Sequence, residues 1–301
     1  MSDTSTNVQR LDRAILGAIG VAIVGGIIAV ISAASDTDRF IQFYLVAYSF
    51  VLQLALGSFA LLMVHSLVRA RWSTALQRIF AAGARTLPLL ALLFIPIVLS
   101  MGRLYPWVND AEQQSVYLNT TFFIIRAIIY FVVWIGIAFA LSNLGYRNQS
   151  DPEVARQMQI VSIVGLILYF ITASLASVDW LMSLSPDWFS SSYGVLEISR
   201  QALAAFSFAI IVLTILANRA PLNQFLNVRT RVDIGALLLV SLLMWVYLSY
   251  MQYNIIWSAN IVSKVAWYEP RTEGTWGAFI IAVALLHGIA LVALLLPGLK
   301  R

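Results

Sequence analysis

The chain has 301 residues, of which 60% are hydrophobic and 11% are charged. A soluble domain carries roughly 25% charged residues, so this composition excludes an ordinary water-soluble fold and indicates a protein whose solvent is lipid. The sequence contains no cysteine, which excludes a thiolate nucleophile, a disulfide framework and an iron–sulfur cluster ligated by this chain. The net charge of +5 does not favour nucleic acid as a partner, because the arginines lie at the ends of apolar segments and not on one basic face.

Apolar runs long enough to cross a bilayer recur along the chain. A spanning helix needs about 20 mostly apolar residues, and such runs lie near 14–35, 42–68, 80–102, 119–142, 158–178, 195–217, 235–256 and 276–297. The first run is longer than the apolar core of a typical signal peptide and is therefore predicted as a helix. The loops are short and show no internal repeat. The sequence predicts an all-α polytopic membrane protein of about eight transmembrane helices, with residues 1–301 forming a single integral membrane domain.

Lysine and arginine are distributed unevenly between the two ends of the predicted helices. With an even number of spans, the termini and the even-numbered loops share one face, which carries most of these residues. The other face carries Arg39, Arg103, Arg200, Lys264 and Arg271. Because cytoplasmic loops are enriched in lysine and arginine, the first face and both termini are predicted to be cytoplasmic. The loops around Pro106, Pro186 and Pro270 then lie on the outer face, and each of them contains tryptophan.

These outer loops combine stiff turns with aromatic residues. Proline fixes its own backbone dihedral and disfavours helix in the residue before it, so the loops are predicted to be rigid. In the segment 177–194, Trp180 and Trp188 are expected to anchor the loop at the level of the lipid head groups. Two interpretations stay open for these loops. They are either helix-ending turns with interfacial aromatics or a preformed surface for a partner subunit or an amphiphilic ligand.

Three stretches of sequence resemble a known family. They read RLYPW (103–107), SVDWLMSLSPDWFSSSYG (177–194) and QYNIIWSANIVSKVAWYEPRTEGTW (252–276). Together they resemble the NrfD-like (polysulfide-reductase membrane subunit) proteins of bacterial alternative complex III. The resemblance implies an NrfD-like helical bundle that acts as a non-catalytic subunit of a quinol:acceptor oxidoreductase in a respiratory chain.

The resemblance also implies partners, cofactors and a location. In such a complex an NrfD-like quinol-binding subunit, an iron–sulfur subunit and multihaem cytochrome c subunits accompany the chain, and those partners carry the haems and clusters. This chain would hold no cofactor of its own other than a quinone or quinol, and it would lie in the bacterial inner (cytoplasmic) membrane. The sequence departs from the family at Ser263 and Lys264, where an acidic pair is frequent, and at Asp187, where a histidine is frequent.

The two histidines of the sequence, His65 and His287, are predicted to lie at different depths. Counted at 1.5 Å per residue along their helices, the depths differ by roughly 18 Å, which is too far for both side chains to bind one haem iron. Histidine, aspartate and glutamate also do not occur at the spacings of metal ligands. The sequence therefore predicts no metal site.

Polar residues within the apolar runs are the candidates for chemistry, because a charge at the bilayer centre costs about 3 kcal/mol or more. Arg126 lies on the same predicted helix face as Tyr130, and Asp179, Glu197 and Arg200 border the outer loop 177–194. Arg126 is expected either to pair with a structural carboxylate or to bind a quinone oxygen. The candidate surroundings of a quinone are Arg126, Tyr130, Asp179, Trp180 and Glu197.

A proton path is a further hypothesis for the same polar residues. Its candidate members, which together span the bilayer in depth, are Gln53, His65, Arg126, Asp179, Glu197, Arg200 and His287. Gln53 and His65 are about 120° apart around one helix. A proton could therefore pass between the two side chains only with the help of water. The alternative for each residue is an interhelical hydrogen bond, and for Glu197 with Arg200 it is an ion pair.

Three functions fit these patterns. The first is a subunit that supports assembly of a quinol-oxidising complex, together with quinone binding or proton translocation at the outer side. The second is a purely structural scaffold, which the departures at Ser263 and Lys264 favour. The third is a stand-alone transporter or channel, which would need a central polar cavity lined by several helices.

Overall fold

A computed structural model describes residues 2–68, 70–110, 112–145, 151–217 and 226–296. All regular structure in these ranges is helical, which confirms the all-α class. The helices are α1 (Ser2–Ser35), α2 (Thr37–Val68), α3 (Arg71–Ala84), α4 (Leu87–Leu93), α5 (Ile95–Leu99), α6 (Met101–Leu104), α7 (Thr120–Gly145), α8 (Pro152–Trp180), α9 (Tyr193–Leu216), α10 (Val228–Ala259), α11 (Val262–Val265), α12 (Glu269–Thr272) and α13 (Gly274–Leu295). Two short 3₁₀ turns lie between these helices: Pro106–Val108 after α6 and Met182–Leu184 after α8.

Seven of the described segments are long and apolar enough to cross a membrane. They are Thr37–Val68, Trp72–Leu99, Thr120–Gly145, Pro152–Leu184, Tyr193–Leu216, Val228–Ala259 and Gly274–Leu295. These segments coincide with the predicted runs from the second to the eighth. The first predicted run lies in α1, whose described apolar part, Ile19–Ser35, is shorter. The chain is a multi-pass membrane protein.

The third spanning segment is a series of short helices and not one rod. Pro96 lacks a backbone N–H, and α4 ends at Leu93 just before it. Two tyrosines of α2 hydrogen-bond the carbonyls at this break: the Tyr44 hydroxyl donates to the Leu93 oxygen at 2.6 Å, and the Tyr48 hydroxyl donates to the Leu90 oxygen at 3.1 Å. A carbonyl without a partner in lipid costs several kcal/mol, so these two bonds stabilise a break within the apolar region.

Helix α2 is the centre of the bundle and packs against α3, α8 and α9, while α7 packs against α8. Its crossing with α9 is close because position 57 is glycine: a β-carbon on Gly57 would overlap the backbone carbonyl of Gln201. Helices α10 and α13 lie at the periphery, with α10 on α9 and α13 on α10. None of the residues of α13 is buried within the described part of the chain.

Loops 105–110, 112–119, 181–192 and 260–273 connect the helices at one end of the bundle, which we call the aromatic end. The Tyr105 hydroxyl donates to the Trp180 carbonyl at 3.2 Å, and the rings of Trp188 and Trp267 stack with centroids 4.4 Å apart. These contacts bring together the three stretches of sequence that carry the family resemblance.

The prediction that Trp180 and Trp188 anchor this end at the lipid head groups is wrong. Trp180 is 4% exposed and Trp188 is 3% exposed. Trp180 packs on Phe94, with ring centroids 4.5 Å apart, and Trp188 packs on Trp267. The rigid loops fold back on one another, so these indole rings are covered by protein and not by lipid.

Candidate functional site

The Asp179 cluster joins α7, α8 and the loop that precedes α7. Arg126 donates from Nε to Oδ2 of Asp179 at 2.8 Å and from Nη2 to Oδ1 at 2.9 Å, while its Nη1 donates to the Tyr117 carbonyl at 2.9 Å. The Tyr130 hydroxyl donates to Oδ2 of Asp179 at 2.8 Å. The side chain of Asp179 is 0% exposed and that of Arg126 is 9% exposed. Both carboxylate oxygens and all three guanidinium nitrogens therefore have partners inside the protein.

Aromatic rings close the Asp179 cluster on the loop side. The Arg126 guanidinium carbon lies 4.0 Å from the centroid of the Tyr117 ring and 5.0 Å from that of Phe122. Burial raises the pKa of the Tyr117 phenol, and the negative charge of Asp179 raises it further. The cluster is thus a paired charge under an aromatic cover, which suits a structural connection between α7 and α8.

The Glu197 cluster joins α9 to α2. The Glu197 carboxylate is 1% exposed, accepts a hydrogen bond from Arg200 Nη1 at 2.7 Å and lies 3.4 Å from Nε2 of Gln53. The side chain of Arg200 is 40% exposed, so the ion pair reaches from the interior to the edge of the protein. Arg200, a long contact with the Gln53 amide and the hydroxyl of Tyr193 surround this carboxylate. Asp179, in contrast, accepts three short hydrogen bonds from the buried Arg126 and Tyr130.

A small cavity adjoins the Glu197 cluster. Its volume is about 30 Å³, and its lining includes Glu197, Gln53, Ser177, Trp180 and Gln201. One water needs roughly 10–15 Å³ of such space, so the cavity has room for one or two. The Nε1–H of Trp180 is buried without a hydrogen-bond partner among the described residues. Since buried donors are nearly always paired, a water in this cavity is a suitable partner for it.

The Glu197 cavity also connects to a buried tyrosine. The Tyr169 hydroxyl donates to Oε1 of Gln201 at 2.7 Å, and both side chains are buried. Sequence reasoning missed Gln201, although it lies four residues after Glu197 and therefore on the same face of α9. It also missed Tyr117, which lies in a loop where no helical periodicity indicates a neighbour.

The two histidines lie away from both carboxylate clusters. His65 is 2.6 Å from the hydroxyl of Ser73, across the turn between α2 and α3. Nδ1 of His287 donates to the Val283 carbonyl at 2.8 Å, and the imidazole stacks on Trp245 with centroids 4.3 Å apart. Within the ranges that the structure describes, no group of three histidine, aspartate or glutamate side chains is placed to hold a metal ion.

The structure distributes the seven candidates for a proton path among four places. Gln53, Glu197 and Arg200 lie together, Arg126 lies with Asp179, and each histidine lies apart. Of the five residues predicted around a quinone, Arg126, Tyr130 and Asp179 form one cluster, Glu197 belongs to the other, and Trp180 follows Asp179 and lines the Glu197 cavity. Both ion pairs that the sequence offered as alternatives are present.

Ser263, Lys264 and Asp187 lie in the loops of the aromatic end. Lys264 Nζ donates to the carbonyl of Phe189 at 3.4 Å, which connects loop 260–273 to loop 181–192. Asp187 is exposed in a turn. Nearby, Oε1 of the buried Gln252 accepts hydrogen bonds from Ser190 and Ser192 at 3.4 and 3.3 Å. The Lys264 contact joins the two loops, and the Gln252 contacts join loop 181–192 to α10.

Comparison of the chain with protein-family models and with curated proteins finds no match. The geometry of the two carboxylate clusters is therefore the main support for a function.

Proposed function

We propose that the chain is an integral membrane subunit of a respiratory quinol-oxidising electron-transfer complex of the alternative complex III type, an NrfD-like protein similar to ActF. It lies in the bacterial inner membrane with both termini in the cytoplasm. It supports assembly and proton movement at the outer side and holds no redox centre. Partner subunits carry the haems and the iron–sulfur clusters and oxidise the quinol.

The observation that carries this proposal is the position of the buried Glu197 carboxylate beside a small cavity. A carboxylate that is 1% exposed beside a water-sized cavity and a partly exposed arginine can exchange a proton without a large rearrangement. Intramembrane carboxylates with such surroundings are the usual proton carriers of membrane pumps. Quinol oxidation releases protons, and Glu197 is suited to accept one and pass it toward the outer surface beside Arg200.

The aromatic end supports the assembly part of the proposal. The Trp188–Trp267 stack and the Lys264 hydrogen bond hold two loops in one shape, which lowers the entropy lost when a partner docks. Phe189 and Trp276 at this end are 66% and 65% exposed. They are suitable contacts for an extramembrane redox subunit.

Replacement of Glu197 by glutamine tests the proton step. The Glu197→Gln side chain keeps the shape and one acceptor oxygen for Arg200 but carries no exchangeable acid. We expect the complex to assemble with all its subunits and its quinol turnover to fall by about 10²-fold, the scale of one general acid–base group. The matched control is Asp187→Asn, which removes a carboxylate from the same end at an exposed turn and should leave turnover unchanged.

A structural scaffold is the second candidate, and the closed Asp179 cluster favours it. Full quinol turnover and proton release in an assembled Glu197→Gln complex would support the scaffold over the proton carrier. Purification of the tagged chain in mild detergent tests both. Recovery of multihaem and iron–sulfur subunits supports the complex, whereas a monomer that transports a solute would contradict both candidates.

A further inference from the structure

A larger pocket opens at the end of the bundle opposite the aromatic end. Its volume is about 510 Å³, and residues of α2, α3, α7 and α8 line it. This volume falls within the roughly 300–1,000 Å³ typical of ligand pockets. The pocket lies beside the last turns of α2 and α7, where Ser66 and Gly145 line it. It therefore lies near the level at which lipid head groups meet the protein.

The pocket is basic. Arg78 and Arg85 both line it and are two helical turns apart on one face of the segment that begins with α3. None of the lining residues is acidic. Arg78 takes part in none of the four ion pairs that occur within the described ranges. Its positive charge is therefore available to an anion.

The polar side chains of the pocket are positioned across two helices. Nε of Arg85 donates to the hydroxyl of Ser142 on α7 at 3.3 Å, which orients the guanidinium over the gap between the helices. Gln77 adds an amide to the same rim. Leu62, Leu141 and Met158 provide an apolar wall. A ligand that fits must combine a negative charge, hydrogen-bonding oxygens and an apolar portion.

We propose that this pocket binds the head group of an anionic phospholipid. Arg78 and Arg85 hold the phosphodiester, since arginine matches phosphate with paired, charge-assisted hydrogen bonds. Gln77 binds the glycerol oxygens, and the acyl chains leave along the apolar wall. Basic pockets between transmembrane helices bind anionic head groups in this way. The site is independent of the proposed quinol-linked function, because none of its residues belongs to either carboxylate cluster.

Lipid competition tests the site. The detergent-purified protein, with the subunits that accompany it, is reconstituted into nanodiscs of phosphatidylcholine and phosphatidylglycerol, and the retained lipids are measured by native mass spectrometry. We expect the ratio of retained phosphatidylglycerol to phosphatidylcholine to fall about fivefold in Arg78→Gln and again in the double variant with Arg85→Gln. Arg156→Gln is the matched control, since it removes an arginine from α8, two residues from Met158, without lining the pocket.

Three results would overturn the site. An equal fall in Arg156→Gln would mean diffuse attraction between a basic surface and an anionic bilayer. Displacement of the lipid by inorganic phosphate alone at millimolar concentration would mean a free-anion site. An unchanged ratio in Arg78→Gln would remove the role of the arginines.

Arg78 is exposed, so the Arg78→Gln variant should fold normally, and thermal unfolding in phosphatidylcholine alone checks this. Arg78→Lys, which keeps the charge and loses the paired geometry, should lie between wild type and Arg78→Gln.

Discussion

The Asp179 cluster and the Glu197 cluster are two regions with the same charge and nearly the same burial, and they differ in how the charge is held. Asp179 is 0% exposed and Glu197 is 1% exposed. Asp179 accepts two hydrogen bonds from Arg126 and one from Tyr130. Glu197 accepts one short bond from a partly exposed arginine and adjoins a cavity.

Burial of a carboxylate therefore does not by itself identify a functional acid. When both oxygens of a buried carboxylate accept hydrogen bonds from a neighbouring helix, the carboxylate connects the two helices. Its removal then affects stability. A carboxylate that adjoins a water-sized cavity can change its protonation with little rearrangement. Substitutions at the two regions should therefore separate an effect on stability from an effect on activity.

The largest effect is expected when one partner of the Asp179 cluster is removed. Arg126→Met leaves a buried carboxylate without its cation, and loss of one partner of a buried ion pair costs about 3–5 kcal/mol. We expect this loss in the free energy of unfolding, measured by denaturant titration of the purified protein in detergent. The double variant Arg126→Met, Asp179→Leu replaces both charges and should recover most of the stability.

Glu197→Gln supplies the comparison for that experiment. It should change the free energy of unfolding by less than about 1 kcal/mol, because the glutamine oxygen can still accept from Arg200, whose charge is partly exposed to solvent. If Glu197→Gln is as destabilising as Arg126→Met, the two regions are not distinct, and both carboxylates are structural.

A smaller effect is expected when the Glu197 region is disturbed without any change of charge. Gly57→Ala places a β-carbon against the Gln201 carbonyl and must push α2 away from α9. Overpacking of this kind costs about 1–3 kcal/mol. Because Gln201 lines the Glu197 cavity, quinol turnover of the proposed complex should fall together with the thermal stability of the protein.

The matched control for this substitution is Gly136→Ala on α7. A β-carbon at Gly136 would have no neighbour within 4 Å. This variant should be as stable as wild type or slightly more stable, since alanine favours helix over glycine. Equal destabilisation by both alanines would refute the close contact between α2 and α9.

The smallest loss of stability is expected when a neutral hydrogen bond is removed. That loss is a reference against which the losses at the two charged regions can be compared. Tyr44→Phe removes the donor to the Leu93 carbonyl at the Pro96 break. Hydrogen bonds between membrane helices contribute about 0.6 kcal/mol on average, and we expect a loss of that size in thermal unfolding. Tyr250→Phe, at a side chain that is 61% exposed, is the control and should have no effect.

The helices were largely predictable from the sequence, because lipid requires long apolar runs and hydrogen-bonded backbones. The shared face of Arg126 and Tyr130 also followed from helical spacing, and both now contact Asp179. The choice of Asp179 over Glu197 as the partner of Arg126 did not follow. It depends on how α8 and α9 are rotated against α7, which packing between helices sets and apolar composition does not.

The aromatic end shows where a statistical rule fails. Tryptophan at the end of a spanning helix usually lies at the lipid interface, and Trp180 and Trp188 were expected to do so. Their burial results from contacts between loops far apart in the sequence, such as the stack of Trp188 on Trp267. Such contacts have no periodic pattern, so the sequence gives no direct sign of them.

The stack of Trp188 on Trp267 also makes the protein its own optical probe. Two nearly parallel indoles, 17° apart in plane and 4.4 Å between centroids, are close enough for their electronic transitions to couple. The near-ultraviolet circular dichroism of the protein should therefore contain a paired band that disappears in Trp267→Phe. Because the two rings come from different loops, that band reports whether the loops are joined, without any label.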